Sequence, residues 1–215
     1  VLEPGYLAAC VAALQADARL AAVQGAILDA EGLLADGLGI AWNRRLEAVQ
    51  LGHGEPPPPA GAPAFPVPGV SGTAPVFRRR AFEEAGGFAG SFFAWYEDAD
   101  LALRLLRSGA RFACVPAARA RHAGSATGRR VPDRKWQLLL GNRIRTLRRN
   151  LSLSARLSAF LVHPVPLPAL RDAVRELGAG RALRALAAAS TAVARRSAED
   201  CAARGGPPLL RSLPR

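Results

Sequence analysis

After Pro4, apolar residues recur at Leu7, Cys10, Val11 and Leu14. This spacing predicts a helix with one core-facing stripe. Pro4 suits its first turn, where the missing N–H has no helical partner to lose. The uncharged run Ala22–Leu28 predicts a short buried strand, with Gly25 marking the close approach of another segment. Three glycines and alternating leucines over 29–39 predict a loop or irregular hairpin, and the proline-rich stretch 53–69 predicts a solvated linker. Val70–Arg78 predicts a strand entered through a tight turn at Ser71-Gly72, and Ala81–Ala85 a single helical turn ended by Gly86-Gly87. A helix is predicted over Glu97–Arg107. Strands follow at Arg111–Val115 and Arg119–His122, with Pro116 as a break between them. Past Gly128 the pattern is helical over 132–149, 153–163 and 168–200, interrupted by prolines and by Gly178 and Gly180. The chain thus divides into an α/β domain over residues 1–128 and a basic, Ala/Leu/Arg-rich helical tail over 129–215.

Composition sharpens this. Half of the 215 residues are hydrophobic and 21% are charged, which supports a packed core and excludes wholesale disorder. The net charge of +12 is uneven: residues 1–100 carry −6 and residues 101–160 carry +13. A basic half of this kind points to a polyanionic partner. Nucleic acid is disfavoured. Among residues 101–160 the basic side chains are nearly all arginine, only Phe112 and Trp136 are placed for base stacking, and no recognition-helix motif is present. Anionic lipid remains as a partner surface, with Arg143, Arg145, Arg148 and Arg149 as the densest cluster. Cys10, Cys114 and Cys201 are far apart and fit neither a zinc site nor a disulfide framework. The N-terminus does not read as a signal peptide, and prolines interrupt the long uncharged stretches that would otherwise suit a membrane helix.

The segment Phe92-Phe93-Ala94-Trp95-Tyr96-Glu97-Asp98-Ala99-Asp100 concentrates the candidate chemistry. Three carboxylates open a helix directly after a run of aromatics. Negative charge is favoured at a helix N-terminus, and Asp100 and Arg104 stand i,i+4, so an ordinary helix-surface ion pair accounts for Asp100. Glu97 and Asp98 remain beside the aromatics. That combination suits a sugar: ring faces cover C–H patches while carboxylates accept hydroxyl hydrogen bonds. A partly desolvated carboxylate also gains the basicity of a general base. The residues alone leave open whether these groups serve chemistry or only the helix terminus.

An ordered set of motifs bears on the choice. Ser71-Gly72-Thr73-Ala74 leads to Val76-Phe77-Arg78-Arg79. Ala81-Phe82-Glu83-Glu84-Ala85-Gly86-Gly87-Phe88, Phe92-Phe93, Tyr96-Glu97-Asp98, Asp100-Leu101 and Arg104-Leu105 follow, then Gly109, Val115-Pro116 and His122 with Gly124-Ser125. Over roughly residues 3–125 this series resembles the acceptor-side half of family 2 glycosyltransferases, in the rhamnosyltransferase-like branch acting on cell-envelope polysaccharides. The resemblance implies a partial GT-A-type mixed sheet flanked by helices. It implies an inverting transfer of sugar from a nucleotide-sugar donor to a hydroxyl of a glycan or lipid-linked acceptor. Asp98 matches the general base. Glu97, with Trp95, Tyr96, Ser71 and Gly72, matches the acceptor side. His122 matches a ligand of the Mg²⁺ or Mn²⁺ that stabilises the departing diphosphate. Asp98-Ala99-Asp100 is itself an Asp-x-Asp, but it opens a helix, whereas the family's metal-binding Asp-x-Asp ends a strand. It is therefore read as the base motif.

In the family a strand–helix half precedes the matching region and supplies the uridine or thymidine pocket and the metal-binding Asp-x-Asp. The chain starts at Val1 and contains no methionine. The expectation is a truncated enzyme, inactive alone, whose strands at 22–28 and 70–78 pair with strands supplied from outside. The expected location is cytoplasmic, peripheral at the inner face of the cell membrane. The competing expectation is a non-catalytic basic module that binds a membrane surface or nucleic acid.

Overall fold

A computed structural model describes residues 1–43, 46–124, 130–152 and 167–189. The tail helix expected over 153–163, Ser125 and Cys201 lie outside these residues. The chain forms two compact units. The first comprises Val1–Arg44, Ala48–Ala89 and Glu97–Ala126; the second comprises Arg45–Glu47, Gly90–Tyr96 and Thr127–Arg215.

The first unit is a mixed α/β sheet flanked by helices, the architecture the family resemblance implied. Helix α1 (Tyr6–Ala16) precedes strand β1 (Leu20–Leu28), β2 (Ala35–Gly37), β3 (Ile40–Trp42), β4 (Ala48–Gln50), β5 (Phe65–Val67) and β6 (Pro75–Phe77). Helices α2 (Arg79–Glu84) and α3 (Glu97–Arg107) lead into the long strand β7 (Arg111–Arg121). β1 lies in the middle of the sheet. It pairs in parallel with β7 along one edge, and antiparallel with β6 and β2 along the other. This corrects the expectation that β1 draws its neighbours from outside: both edges are filled by strands of this chain. β5 continues the sheet beyond β7, antiparallel to it, and β3 and β4 form a separate ribbon.

Every residue of β1 is buried, as an apolar run covered on both faces requires. Helix α1 turns Tyr6, Cys10 and Leu14 onto the sheet and leaves Leu7 and Val11 exposed. The predicted stripe is therefore rotated by about one position around the helix. The Tyr6 ring is the reason. It reaches the sheet, donates from its hydroxyl to Ala74 O at 2.5 Å and accepts from Gly25 N at 2.8 Å. At the end of α1 the Arg78 guanidinium donates to Leu14 O and Asp17 O, and its Nε donates to Leu20 O at the start of β1.

Pro116 does not break the chain into two strands. β7 runs continuously, and its register against β1 shifts between Gly25 and Ala26, where Val115 and Arg119 are the flanking partners. The proline sits in that bulge, where no ladder N–H is required. The bulge brings Ala118 over Gly25: a Cβ added at Gly25 would lie 2.1 Å from Ala118 O and 2.5 Å from Tyr6 Cε2. Gly25→Ala is expected to cost about 3 kcal/mol through overpacking against backbone. Urea unfolding should show a lower midpoint at unchanged slope; an unchanged midpoint would refute the close approach. The proline-rich stretch is likewise not all linker, since Phe65–Val67 forms the edge strand β5, where Pro66 is tolerated.

The second unit contains helix α4 (Pro132–Asn150), helix α5 (Leu167–Leu177) and a helical stretch over 179–189. Trp136, Ala173, Leu177, Ala182 and Ala185 form its apolar cluster. Trp136 Nε1 and Lys135 Nζ both donate to Glu176 Oε2, at 2.9 and 3.0 Å, and Arg181 pairs with Asp133. The arginine cluster expected to face lipid is divided by burial. Arg143 and Arg145 are 7% and 6% exposed, while Arg148 faces outward. A helix that packs one side must turn some of four closely spaced arginines inward, and the sequence does not reveal which.

Candidate active site

The Ser71-Gly72 turn of the first unit meets the N-terminus of α3. Gln24 is fully buried in the middle of β1. Its Oε1 accepts from Ser71 N at 2.6 Å, and its Nε2 donates to Gly37 O at 3.3 Å. Ser71 is buried, with its hydroxyl bonded to Thr73 Oγ1 at 3.0 Å and to Gln50 Nε2 at 3.3 Å. The Ser71-Gly72 turn is thus tied to the sheet from below. From it, Gly72 N donates to Asp98 Oδ2 at 2.8 Å, while Ala99 N donates to Asp98 Oδ1 at 2.7 Å. Both oxygens are held in place. A Cβ at Gly72 would stand 3.3 Å from Glu97 Oε1 and 3.6 Å from Asp98 Oδ2. Glycine here lets both carboxylates lie against the turn.

Burial pushes the Asp98 carboxyl above the ordinary aspartate value, outweighing the backbone hydrogen bonds that pull it down. Glu97 is raised too, chiefly by burial and then by the neighbouring Asp98 charge. Glu97 Oε2 is buried with no hydrogen-bond partner. A buried acceptor without a donor is unfavourable, and a hydroxyl arriving beside it would relieve that cost.

Asp100, two positions on, is different in kind. It is completely buried and accepts from Arg104 Nε at 2.9 Å. Arg104 is itself only 17% exposed in its side chain, and it also donates to Ala85 O and Gly87 O. The expected i,i+4 pair forms, but in the interior and not on the helix surface. α3 turns Asp100 inward, and a guanidinium already bonded to two carbonyls accompanies its charge. Asp100 is consequently withdrawn from solvent, so Asp98-Ala99-Asp100 cannot present two carboxylates to one cation.

The aromatic run is not a single wall. Phe88 stacks edge-on with Phe77 and Phe82 in the first unit, at centroid distances of 6.0 and 5.3 Å. Phe92 is buried in the second unit under the Arg145 guanidinium, 5.3 Å from its ring centroid. Phe93 is 80% exposed, and Trp95 and Tyr96 are half-buried. Phe93, Trp95 and Tyr96 adopt left-handed φ of 64°, 61° and 69°. Bulky residues there cost about 1–3 kcal/mol each, so three in four positions amount to a strained loop. The carboxylates belong to the first unit, and Trp95 and Tyr96 to the second.

His122 follows β7. Its Nδ1 lies 2.8 Å from Asp36 Oδ2, and His53 Nδ1 lies 2.9 Å from Asp36 O. A carboxylate on one imidazole nitrogen is the usual way to orient a metal-binding histidine through the other. The pair fits one ligand and its orienting partner. Among the described residues, no group of three or more His, Cys, Asp or Glu side chains is placed to hold a metal ion. Sequence reasoning missed Gln24, Asp36 and Asn142. Of these only Gln24 carried a signal, as a polar side chain inside a buried strand.

No curated protein matches the chain. A crystal structure of GalNAc-T7 with UDP, GalNAc and Mn²⁺ is similar at 16% identity and a TM-score of 0.46, over 69% of this chain and 29% of that one. The chain therefore spans less than a third of that protein's length. The family model described as glycosyl transferase family group 2 matches residues 1–171. A match over most of the chain settles its kinship: the protein belongs to glycosyl transferase family group 2.

Proposed function

We propose that this chain carries the acceptor side of an inverting glycosyltransferase that moves a sugar from a nucleotide-sugar donor to a hydroxyl of a glycan or lipid-linked acceptor. The observation that carries this reading is the pair at the start of α3. Asp98 is raised in basicity and held at both oxygens, next to a buried Glu97 oxygen that lacks a donor.

The reacting hydroxyl donates to Asp98, which takes its proton as the oxygen attacks the anomeric carbon, while another hydroxyl of the acceptor donates to Glu97 Oε2. The new C–O bond forms as the bond from that carbon to the diphosphate oxygen breaks, and the nucleoside diphosphate leaves with the electron pair. Attack opposite the leaving group inverts the anomeric configuration. Gly72 keeps Asp98 from swinging away, because its N–H holds Oδ2. Trp95 and Tyr96, which the family resemblance assigns to the acceptor side, immediately precede Glu97 and Asp98 in the chain. His122, oriented by Asp36, would supply one ligand to a Mg²⁺ or Mn²⁺, and such an ion provides charge stabilisation at a departing diphosphate. A lipid-linked acceptor would bring the protein to a membrane surface; among the described residues no helix is long and apolar enough to cross one.

The test is transfer by this chain joined to the donor-binding half that the family places before it, from a panel of UDP- and dTDP-sugars to octyl glycosides in the presence of Mn²⁺, with the product's anomeric configuration read by NMR. An inverted glycoside is expected. Chelation by EDTA and His122→Ala should each suppress it at least tenfold. Retention of configuration would refute in-line attack, and full activity of His122→Ala would remove the histidine from the metal site.

A further inference from the structure

The strained loop is held by a side chain that the proposed chemistry does not use. Asn142 sits in the middle of α4, 1% exposed. Its amide Nδ2 lies 2.9 Å from Phe92 O, 2.7 Å from Ala94 O and 2.8 Å from Trp95 O. An amide has two hydrogens, so its donors are saturated by three carbonyls. Its Oδ1 in turn accepts from Arg145 Nη1, and the same nitrogen donates to Ser91 O at 3.0 Å. Arg145 also covers the Phe92 ring.

The geometry points to Asn142 as the positioning residue of the acceptor subsite: with Arg145 behind it, it holds Phe93, Trp95 and Tyr96 in their left-handed conformation. This inference rests on the reading above, in which Trp95 and Tyr96 are assigned to the acceptor side. The left-handed residues rotate successive peptide planes, so that carbonyls which would diverge in an extended segment converge on one point. A single buried donor at that point makes the conformation self-consistent. Without it the carbonyls would face one another unpaired, and relaxation to ordinary φ would carry the two aromatic side chains elsewhere. Asn142 is saturated by the protein and has no donor left for a ligand. Its effect on catalysis is exerted through the loop, immediately before Glu97 and Asp98 in the chain.

Hydrogen exchange of the full chain, followed by mass spectrometry, tests the clamp without any substrate. Asn142→Ala should raise exchange at least tenfold in peptides covering 91–97 and leave β1 unchanged. Asn142→Asp keeps the shape and the Arg145 contact but removes the amide donor, so it should do the same if Asn142→Ala fails to fold. Arg148→Ala, on the exposed side of the same helix, should change nothing. In the transfer assay the acceptor KM for octyl glycosides should rise about tenfold in both Asn142 variants, with the donor KM unchanged. Unchanged loop exchange in Asn142→Asp would overturn the clamp whatever the activity. Faster exchange with an unchanged acceptor KM would overturn its link to the subsite. Absence of transfer by the wild-type chain joined to the donor-binding half, with the exchange effect intact, would overturn the acceptor role while identifying the proposed function as what failed.

Discussion

Asp98→Asn is expected to lower transfer by ~10²–10⁴-fold, the usual range for loss of a general base, with donor KM nearly unchanged. The substitution keeps the shape. Oδ1 of asparagine can still accept from Gly72 N, one of the two bonds that hold the carboxylate. What disappears is proton affinity, so a lost rate with intact folding isolates proton abstraction. Asp98 must be ionised to act, and burial raises its pKa. Activity should therefore fall as pH drops through a value above the ordinary aspartate range, and Asp98→Asn should abolish that limb along with the rate. Linkage gives the companion effect the opposite sign. The folded state holds this proton more tightly than the unfolded chain, so Asp98 lowers stability as pH rises from its unfolded to its folded pKa. Asp98→Asn should remove that loss. An acid limb unchanged in the variant's residual activity would assign it to another group, with Glu97, also raised, as the first candidate.

Arg104→Ala is expected to destabilise the protein by about 3–5 kcal/mol, because it leaves the buried Asp100 charge without its guanidinium. It also strips donors from Ala85 O and Gly87 O, which close the turn after α2. At roughly 2–4 °C per kcal/mol for a chain of this size, thermal unfolding should shift by about 6–20 °C. An exposed i,i+4 pair would be worth only ~0.3–0.5 kcal/mol, so a shift near 1 °C would place the pair at the surface after all. Asp100→Asn should cost less than Arg104→Ala, since Arg104 keeps its two carbonyl partners. Neither variant should alter the acid limb assigned to Asp98, because Asp100 is sealed from the reacting groups. Equal loss of transfer in Asp98→Asn and Asp100→Asn, with Mn²⁺ dependence gone in the latter, would invert the assignment of the Asp-x-Asp.

Local signals located the elements well. α3 begins and ends where three carboxylates and Ser108-Gly109 place it, because an N-terminal dipole and a C-terminal glycine act within one turn. The buried run of β1 and the helical periodicity of α4 were equally legible. Misreadings arose where a distant segment decided. Pro116 reads as a terminator, yet β1 accommodates it as a bulge. Phe65–Val67 reads as linker, yet β7 offers it an edge to pair with. The stripe of α1 reads as Leu7 and Val11 together with Cys10 and Leu14, yet Tyr6 turns the helix by claiming Gly25 N and Ala74 O.

The division at the candidate site follows the same physics. The sequence by itself determined the kinship, through an ordered series of motifs, and it placed Glu97, Asp98 and Ser71-Gly72 on the elements where they are found. Residue order and helix-terminal charge are local properties, and local properties survive in one dimension. Only the tertiary structure decided which carboxylate is sealed and which is available. Asp98 and Asp100 are two residues apart on one helix, and their difference lies in what faces each: Gly72 N from a turn twenty-six residues earlier for one, and a guanidinium already bound to the α2 turn for the other. It likewise decided that Arg145 is drawn into the interior with Asn142, and that His122 meets Asp36. Burial and hydrogen-bond partnership depend on segments that only folding brings together, so no periodicity along the chain records them.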